Sequence, residues 1–303
     1  MSPHFICIGA HKAGTTWLYH QLNVHPNFSM LPVKEIHYFD RDKRYSSPSD
    51  LTEARWIRRL ADPRAAFRKL GKVGREVLAG NFADAKWHAK WGFSNYSDSW
   101  YLSLFDYQRG KLTGEITPAY AILDDDDVRH MSTVVGDARI IFLMRNPIDR
   151  AWSMLRYSQK RGASVDLADT KALIKGIDSP AQELRSNYER TLEIYCRHFD
   201  AGRILVGFYD AIKQQPGALL SSIVTHIKAE DTSADTSVLT KRYNASSEVE
   251  MPKEVRDYLI SKYRKPMESL SARFGGYATA WLEQIDNPQD EPSGELHPAV
   301  SYL

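Results

Sequence analysis

A loop near the start of the chain, GAHKAGTT at residues 9–16, has the residue types of an anion-binding site. An apolar run precedes it and a segment with helical spacing follows, and N–H groups at the start of a helix attract anions. Gly9 and Gly14 have the spacing of nucleotide triphosphatase loops, but Thr15 stands where those proteins require lysine. The lysine is instead Lys12, which predicts a ligand with a shorter phosphate chain whose outermost group lies beside it. The alternative is a tight turn that happens to contain a lysine.

A second group of candidate residues follows an apolar run, DARIIFLMRNP at 137–147, which predicts a buried strand. Arg145 leaves this strand, and Ser153 lies about two turns into the helix predicted to begin at Pro147. An arginine fork and a hydroxyl can hold one phosphate dianion between them. The alternatives are a surface ion pair for Arg145 and a solvated position for Ser153.

Strands and helices alternate along the chain, and this pattern predicts how the two groups are positioned. Strands are predicted at 4–9, 111–118, 137–147 and 203–209, with a short extended segment at 35–39. Helices are predicted at 15–25, from 147, and at 181–200, 216–228, 252–274 and 276–285. The alternation predicts a single α/β domain with a P-loop-like central parallel sheet flanked by helices on both faces. Ligands of such sheets bind beyond the carboxyl ends of the strands, where both groups lie.

Composition limits the classes of function. The chain has 303 residues, of which 43% are hydrophobic, and a formal net charge of +2, which argues against nucleic-acid binding by bulk charge. Cys7 and Cys196 have no metal-ligand spacing and predict no disulfide framework, as expected in a reducing compartment. No apolar run approaches the roughly 20 residues that span a bilayer, and no signal peptide is evident. We therefore expect a cytoplasmic protein without stable membrane insertion.

Two regions stand apart from this regular pattern. Residues 41–110 contain helical patches and, at 81–107, an aromatic-rich loop, and we predict a variable acceptor or lid region there. Its aromatic rings could stack on sugars, line an apolar pocket, or form the core of a lid, the interpretation we favour for at least half of them. The single domain, which includes 41–110, is predicted to extend over 1–286, and a mobile polar tail is predicted over 287–303.

The motifs together resemble the sulfotransferases that use 3′-phosphoadenosine-5′-phosphosulfate (PAPS). KAGTTWL resembles the 5′-phosphosulfate loop of that family, and FLMRNPIDRAWS its 3′-phosphate motif. KEIHYFD (34–40) and GEITPAY (114–120) resemble segments of the heparan-type carbohydrate sulfotransferases and their bacterial relatives. The resemblance runs from about residue 4 to 275. The loop lacks the aromatic-Pro pair of the cytosolic hormone-type enzymes, which favours the heparan-like and bacterial branch.

The resemblance implies PAPS as cosubstrate, no metal, and a set of cofactor-binding residues. These residues are Lys12, Ala13, Gly14, Thr15, Thr16, Trp17, Arg145, Ser153, Lys241 and Arg242. Trp17 would flank the adenine, with packing against the sheet as the alternative. Lys241 and Arg242 would close over the 3′-phosphate, with a solvated charge pair as the alternative.

The resemblance also implies catalytic roles in an in-line displacement. Lys12 would neutralise charge on the bridging oxygen. Glu35 is the first candidate for the base, because the resembling branch has a glutamate there; the alternative is a surface pair with Lys34. His37 is the second candidate, since its ordinary pKa is nearer neutrality and alternation puts it on the same side as Glu35. Glu115 would orient Lys12 or the acceptor, or form a structural ion pair.

The residues leave the acceptor and the oligomeric state open. A glycoside or other carbohydrate, a lipid or polyketide, and a small-molecule alcohol or phenol all remain candidates for the acceptor. A P-loop-type small-molecule kinase is the alternative enzyme, although Thr15 and the lack of an obvious Mg²⁺-binding aspartate count against it. A non-catalytic nucleotide-binding module is a third reading, against which Lys12 and Glu35 count.

Overall fold

A five-stranded sheet forms the centre of the described residues. The computed structural model describes residues 1–45, 55–59, 63–107, 110–160, 162, 166–229, 239, 249–286 and 296–303. The strands are β1 (Phe5–Gly9), β2 (Gly114–Ile116), β3 (Arg139–Met144), β4 (Ile204–Phe208) and β5 (Val300–Tyr302). Their order is β2-β1-β3-β4-β5; the first four are parallel and β5 is antiparallel to β4.

Fourteen α-helices accompany the sheet within the described part of the chain. They are α1 (Thr15–Val24), α2 (Trp56–Arg59), α3 (Pro63–Leu78), α4 (Phe82–Phe93), α5 (Asp98–Ser103), α6 (Asp125–Val135), α7 (Pro147–Lys160), α8 (Thr170–Ile177), α9 (Pro180–Ser186), α10 (Tyr188–His198), α11 (Tyr209–Gln214), α12 (Pro216–His226), α13 (Lys253–Phe274) and α14 (Gly276–Asp286). Strands β1, β2 and β4 are buried along their whole length, as expected for a sheet covered on both faces. The predicted α/β class is confirmed.

The connections of β1 place the two candidate groups side by side. The chain runs from β1 to its neighbour β2 on one side, and then crosses to β3 on the other side of β1. The loops after β1 and β3 therefore diverge at a topological switch point, where parallel sheets form ligand crevices. Cys7, in the middle of β1, is fully buried, and burial raises the pKa of its thiol to about 12. Cys196 on α10 is exposed.

Two segments differ locally from the prediction. The helix expected over 181–200 is two helices, α9 and α10, separated at Asn187, whose side chain accepts a hydrogen bond from Arg190 N. A helix-capping side chain of this kind starts a new helix. The segment 35–39 is not a strand, because His37 has a left-handed backbone with φ 58°.

The aromatic-rich stretch predicted as a loop at 81–107 contains helices α4 and α5. Five of its nine aromatic side chains are buried: Trp87, Tyr96, Trp100, Tyr101 and Phe105. The indoles of Trp87 and Trp100 donate to the backbone carbonyls of Leu104 and Lys90. These two rings therefore pack within this region, as in the lid-core alternative.

The predicted tail ends in a strand. Residues 300–302 form β5, which pairs with β4 in the register Val206 with Ser301, so the last part of the tail predicted over 287–303 contains a strand of the central sheet. This pairing is made by the backbone, which the polar composition of the tail does not reveal. Residues 287–295 lie outside the described residues. No described helix is both long and apolar enough to cross a membrane.

Candidate active site

The loop after β1 is shaped by a glycine that no other residue can replace without strain. Gly14, directly before α1, has φ 89°, a left-handed conformation that favours glycine. A Cβ atom at this position would lie 2.2 Å from Ile212 Cδ1 and 3.2 Å from the Tyr209 ring on α11. The loop thus packs closely against α11, and the absence of a side chain at Gly14 allows α1 to begin at the next residue.

The start of α1 retains its capacity to bind an anion. It has neither a side-chain cap nor an acidic residue in its first turn. The N–H groups of the first helical turn have no intrahelical partner, and the helix dipole adds positive potential. Ala13 and Thr15 are buried, and Thr16 is partly exposed.

Lys12 lies among other cations. Its ammonium is 4.3 Å from the centre of the Tyr157 ring. Burial, reinforced by Arg145, Arg156 and Lys160, lowers the pKa of Lys12 to about 8. Repulsion of this kind is relieved when an anion binds.

Arg145 lies beside the same loop. Its Nη1 donates to the Lys12 carbonyl at 3.1 Å, and its guanidinium is 4.4 Å from the centre of the Tyr209 ring. The Tyr188 hydroxyl donates to the Arg145 carbonyl at 2.9 Å. The structure therefore brings the two groups that the sequence predicted separately, after β1 and after β3, into direct contact.

The other predicted cofactor residues have different surroundings. Ser153 lies on the buried side of α7. Trp17 is buried, and its indole donates to the Leu239 carbonyl at 3.0 Å. This burial agrees with the packing alternative, and contact with adenine stays a prediction. Lys241 and Arg242 lie outside the described residues.

The segment 34–40 is fixed beside the sheet by the 114–120 segment. The Thr117 hydroxyl accepts from Ile36 N at 3.1 Å, and the Tyr120 hydroxyl accepts from Tyr38 N at 2.9 Å. Thr117 N in turn donates to the carbonyl of Cys7 in β1 at 3.0 Å. The two motifs that the sequence suggested independently thus form one unit attached to β1.

Glu35, His37 and Asp40 form a chain of polar groups within this unit. His37 Nε2 is 3.3 Å from Glu35 Oε2, and its Nδ1 is 2.8 Å from Asp40 Oδ2. Burial opposes the charged imidazolium, but hydrogen bonds to Asp40 and Glu35 outweigh it and raise the pKa of His37 to about 10. His37 therefore lacks the near-neutral pKa that made it the second candidate for the base. Alternation is also not what brings His37 to Glu35; the left-handed turn does.

Lys34 joins this chain to the loop. Its ammonium is 2.8 Å from Glu35 Oε1 and 3.5 Å from Thr15 Oγ1. Burial would raise the pKa of Glu35, but the hydrogen bond from His37 and the attraction of Lys34 lower it to about 2. The predicted pair of Glu35 and Lys34 exists, and it is partly buried rather than an incidental surface contact.

Glu115 and His11 are buried ionisable groups next to the site. Burial raises the pKa of Glu115 to about 8, so it is protonated at neutral pH; the charged groups acting on it are Asp40 and His37 rather than Lys12. Among the described residues, Glu115 has neither a contact with Lys12 nor an ion pair, so neither of these two alternatives gains support. Burial and the positive charge of Arg185 lower the pKa of His11 to about 3, which keeps its imidazole neutral.

Sequence reasoning missed Lys34 as a bridge, Asp40 as the partner of His37, and the rings of Tyr157 and Tyr209. Asp40 could have been found, because it lies within the KEIHYFD motif, three residues after His37. The two rings come from α7 and α11, and only the fold brings them to the loop. Among the described residues, no group of three or more His, Cys, Asp or Glu side chains could hold a metal ion.

A family profile places the chain among known proteins. The profile of the Sulfotransferase family matches residues 3–233, and the chain belongs to this family. A curated relative, the membrane-associated sulfotransferase kil1 of Dictyostelium discoideum, is 26% identical over 156 residues. That match covers 52% of this chain and 23% of the relative, so it spans about a quarter of the relative's length.

Solved structures share the fold. A sulfotransferase from Alicyclobacillus acidocaldarius superimposes with a TM-score of 0.64 at 21% identity, over 93% of this chain and 99% of that one. A sulfotransferase domain from the curacin biosynthetic pathway gives a TM-score of 0.50 at 12% identity, over 87% and 98% of the two chains. Likeness at these identities supports the fold alone.

Proposed function

We propose that the chain transfers the sulfuryl group of PAPS to an acceptor hydroxyl and releases 3′,5′-adenosine bisphosphate. The observation that carries this proposal is the position of Lys34, whose ammonium contacts both Thr15 in the loop and Glu35. An anion-binding helix start and a carboxylate able to accept a proton are thus within reach of one side chain. A transferase that joins an anionic donor to a hydroxyl needs both.

The donor set of the loop is suited to PAPS. Burial and the repulsion of Arg145, Arg156 and Lys160 lower the pKa of Lys12, and a bound anion would offset both effects. Gly14, Thr15 and Thr16 would hold the 5′-phosphate at the start of α1. Arg145 and Ser153 would hold the 3′-phosphate.

The remaining predicted cofactor residues complete the assignment. Ala13 and Trp17 would flank the nucleotide, and Lys241 and Arg242 would close over the 3′-phosphate. PAPS supplies the sulfuryl group: a bond forms from the acceptor oxygen to sulfur as the bond from sulfur to the bridging phosphate oxygen breaks. Lys12 stabilises the negative charge that grows on the bridging oxygen.

Glu35 accepts the proton of the acceptor hydroxyl. Its carboxylate is kept ionised by His37 and Lys34. His37, with its pKa raised to about 10, is protonated at neutral pH and donates to Glu35 and Asp40, so it acts as a positioning residue. The acceptor class we propose is an alcohol carried by a carbohydrate, a lipid or a small molecule.

The test is thermal stabilisation of the full chain by 3′,5′-adenosine bisphosphate, compared with ATP–Mg²⁺ and 5′-AMP. A ligand at 100 times its dissociation constant adds about 2.7 kcal/mol to the free energy of unfolding. We expect the bisphosphate to stabilise the protein more than either other nucleotide. Stabilisation by ATP–Mg²⁺ alone would overturn the proposal in favour of the kinase.

Two arginine variants sharpen the assay. Arg145→Ala removes the proposed contact to the 3′-phosphate, so it should weaken binding of the bisphosphate more than binding of 5′-AMP. Arg129→Ala changes an arginine on α6 whose side chain is 58% exposed, and it is the matched control. If Arg145→Ala weakens binding of both nucleotides equally, Arg145 only supports the loop through its hydrogen bond to the Lys12 carbonyl.

A further inference from the structure

Helix α3 carries an apolar stripe that faces solvent. The stripe consists of Phe67, Leu70, Val77 and Leu78, which are 79%, 56%, 45% and 91% exposed. Their spacing of three, seven and one residues keeps them on one face of a helix. Most amphipathic helices turn such a face to the core, so a face of this size left in water marks an interaction surface.

The other side of α3 already packs against the protein. The Lys69 side chain lies against Gly92 of α4, and its ammonium is 5.8 Å from the centre of the Trp91 ring. Val73 and Glu76 are partly buried on that side. Rotating the helix to bury the stripe would expose these contacts, so the stripe is the outer face of an anchored helix.

Exposed apolar side chains are concentrated around this helix. Among the described residues, six of the eleven exposed large hydrophobic side chains lie between residues 57 and 82. Besides the four of the stripe, they are Ile57 on α2 and Phe82 at the start of α4. The surface is therefore a local patch rather than the scattered exposure that every protein shows.

The charge of α3 indicates what covers the stripe. The helix has five basic residues and one acidic residue, a net charge of +4, whereas the whole chain has only +2. At 100° per residue, Arg68, Lys72 and Arg75 lie along one edge of the stripe, and all three are exposed. A second copy of the chain would bring two such basic helices together, and their repulsion disfavours it.

We propose that α3 docks on the surface of an anionic lipid membrane. The stripe enters the boundary between headgroups and acyl chains, and Arg68, Lys72 and Arg75 contact the lipid phosphates. Helices with basic residues beside an exposed apolar face bind membranes in this way. The proposal concerns a surface outside the candidate active site and does not depend on the sulfotransferase reaction.

The test is cosedimentation of the full chain with phosphatidylcholine vesicles, with and without 30% phosphatidylserine. We expect binding to the anionic vesicles and little to phosphatidylcholine alone. The double variant Phe67→Ser, Leu78→Ser should reduce the partition coefficient about tenfold or more, because two large apolar side chains no longer enter the bilayer. Arg68→Glu with Arg75→Glu should reduce it similarly, because the attraction to anionic lipid is lost.

The matched control is Val24→Ser with Leu296→Ser, which removes two exposed apolar side chains outside the patch. It should bind like the unchanged protein, and a thermal melt of each variant checks the fold. Failure of the unchanged protein to bind anionic vesicles, or equal binding of the Phe67 and Leu78 variant, would overturn the proposal. A dimer in lipid-free solution that this variant abolishes would overturn it in favour of a second copy.

Discussion

The two halves of the candidate active site, the loop after β1 and the 34–40 segment, differ in charge balance, and they shift pKa values in opposite directions. Around the loop after β1, burial and neighbouring cations lower the pKa of Lys12 to about 8. In the 34–40 segment, carboxylates overcome burial and raise the pKa of His37 to about 10. The cationic half is short of an anion, whereas the acidic half is balanced by its own residues. Loss of a residue from the first half should therefore affect both ligand binding and turnover, and loss from the second mainly turnover.

The largest effect is expected from Lys12→Ala. Removing a charge that stabilises the leaving group should lower turnover by roughly 10²–10³-fold. Affinity for the bisphosphate should fall much less, because Arg145 and the start of α1 remain. The measurement is release of bisphosphate from PAPS, with water or any alcohol that the unchanged protein accepts.

Lys253→Ala is the control for Lys12, because its side chain is 85% exposed at the start of α13. It should leave turnover and binding unchanged. Normal turnover of the Lys12 variant would show that the loop after β1 takes no part in the chemical step.

Glu35→Gln should lower turnover about 100-fold, as expected for the loss of a general base. Affinity for the bisphosphate should be equal or higher, because a negative charge near the loop is removed. Isothermal titration and the bisphosphate-release assay measure the two quantities on the same sample. Asp286→Asn, an exposed carboxylate paired with Arg264, is the control. If binding weakens in parallel with turnover, the two halves are not separable as described.

The affinity for the bisphosphate should fall as the pH rises above about 8. Lys12 loses its proton in the free protein at that pH, so binding should weaken until it reaches the modest loss expected for Lys12→Ala. Lys12→Arg should bind with an affinity that stays constant over this range, because arginine keeps its charge. Titrations at a series of pH values measure the difference. An identical decline in the variant would assign the pH dependence to another group.

The last prediction concerns stability rather than activity and involves Glu115, whose pKa is about 8 in the folded protein against an ordinary 4.5. Folding takes up a proton between these values, so the stability contributed by the protonated carboxyl is complete below pH 4.5 and is lost as the pH rises through about 8. Glu115→Gln imitates the protonated form. It should reduce the decline in unfolding free energy over this range by at most about 1.4 kcal/mol per pH unit. Urea unfolding at several pH values measures it, and Glu268→Gln, on the surface of α13, should keep the original slope.

The cationic half could be predicted from the sequence because its residues are local. Gly14, Lys12 and Thr15 lie within one loop, and Arg145 directly follows a buried strand whose apolar run is unmistakable. The acidic half could be predicted only as a set of residue types. The contact of Glu35 with His37 depends on a left-handed residue that the sequence does not reveal, and Lys34 reaches Thr15 only because Thr117 and Tyr120 hold its segment against β1.

The same distinction holds for the fold. The apolar runs predicted β1, β3 and β4 correctly, since burial on both faces leaves a continuous signal. Strand β5 was missed because an edge strand of three residues needs no apolar run. Helices α4 and α5 were missed because aromatic side chains buried on several sides obscure the helical period.

The contrast between the two cysteines makes the unaltered chain suitable for site-specific labelling. Thiol reagents attack the thiolate, so Cys7, buried with a pKa of about 12, should stay unreacted. A maleimide dye would therefore attach at Cys196 alone, about two helical turns beyond Tyr188 on α10. Nucleotide binding could then be followed by fluorescence on the native sequence, without engineering a cysteine or removing one.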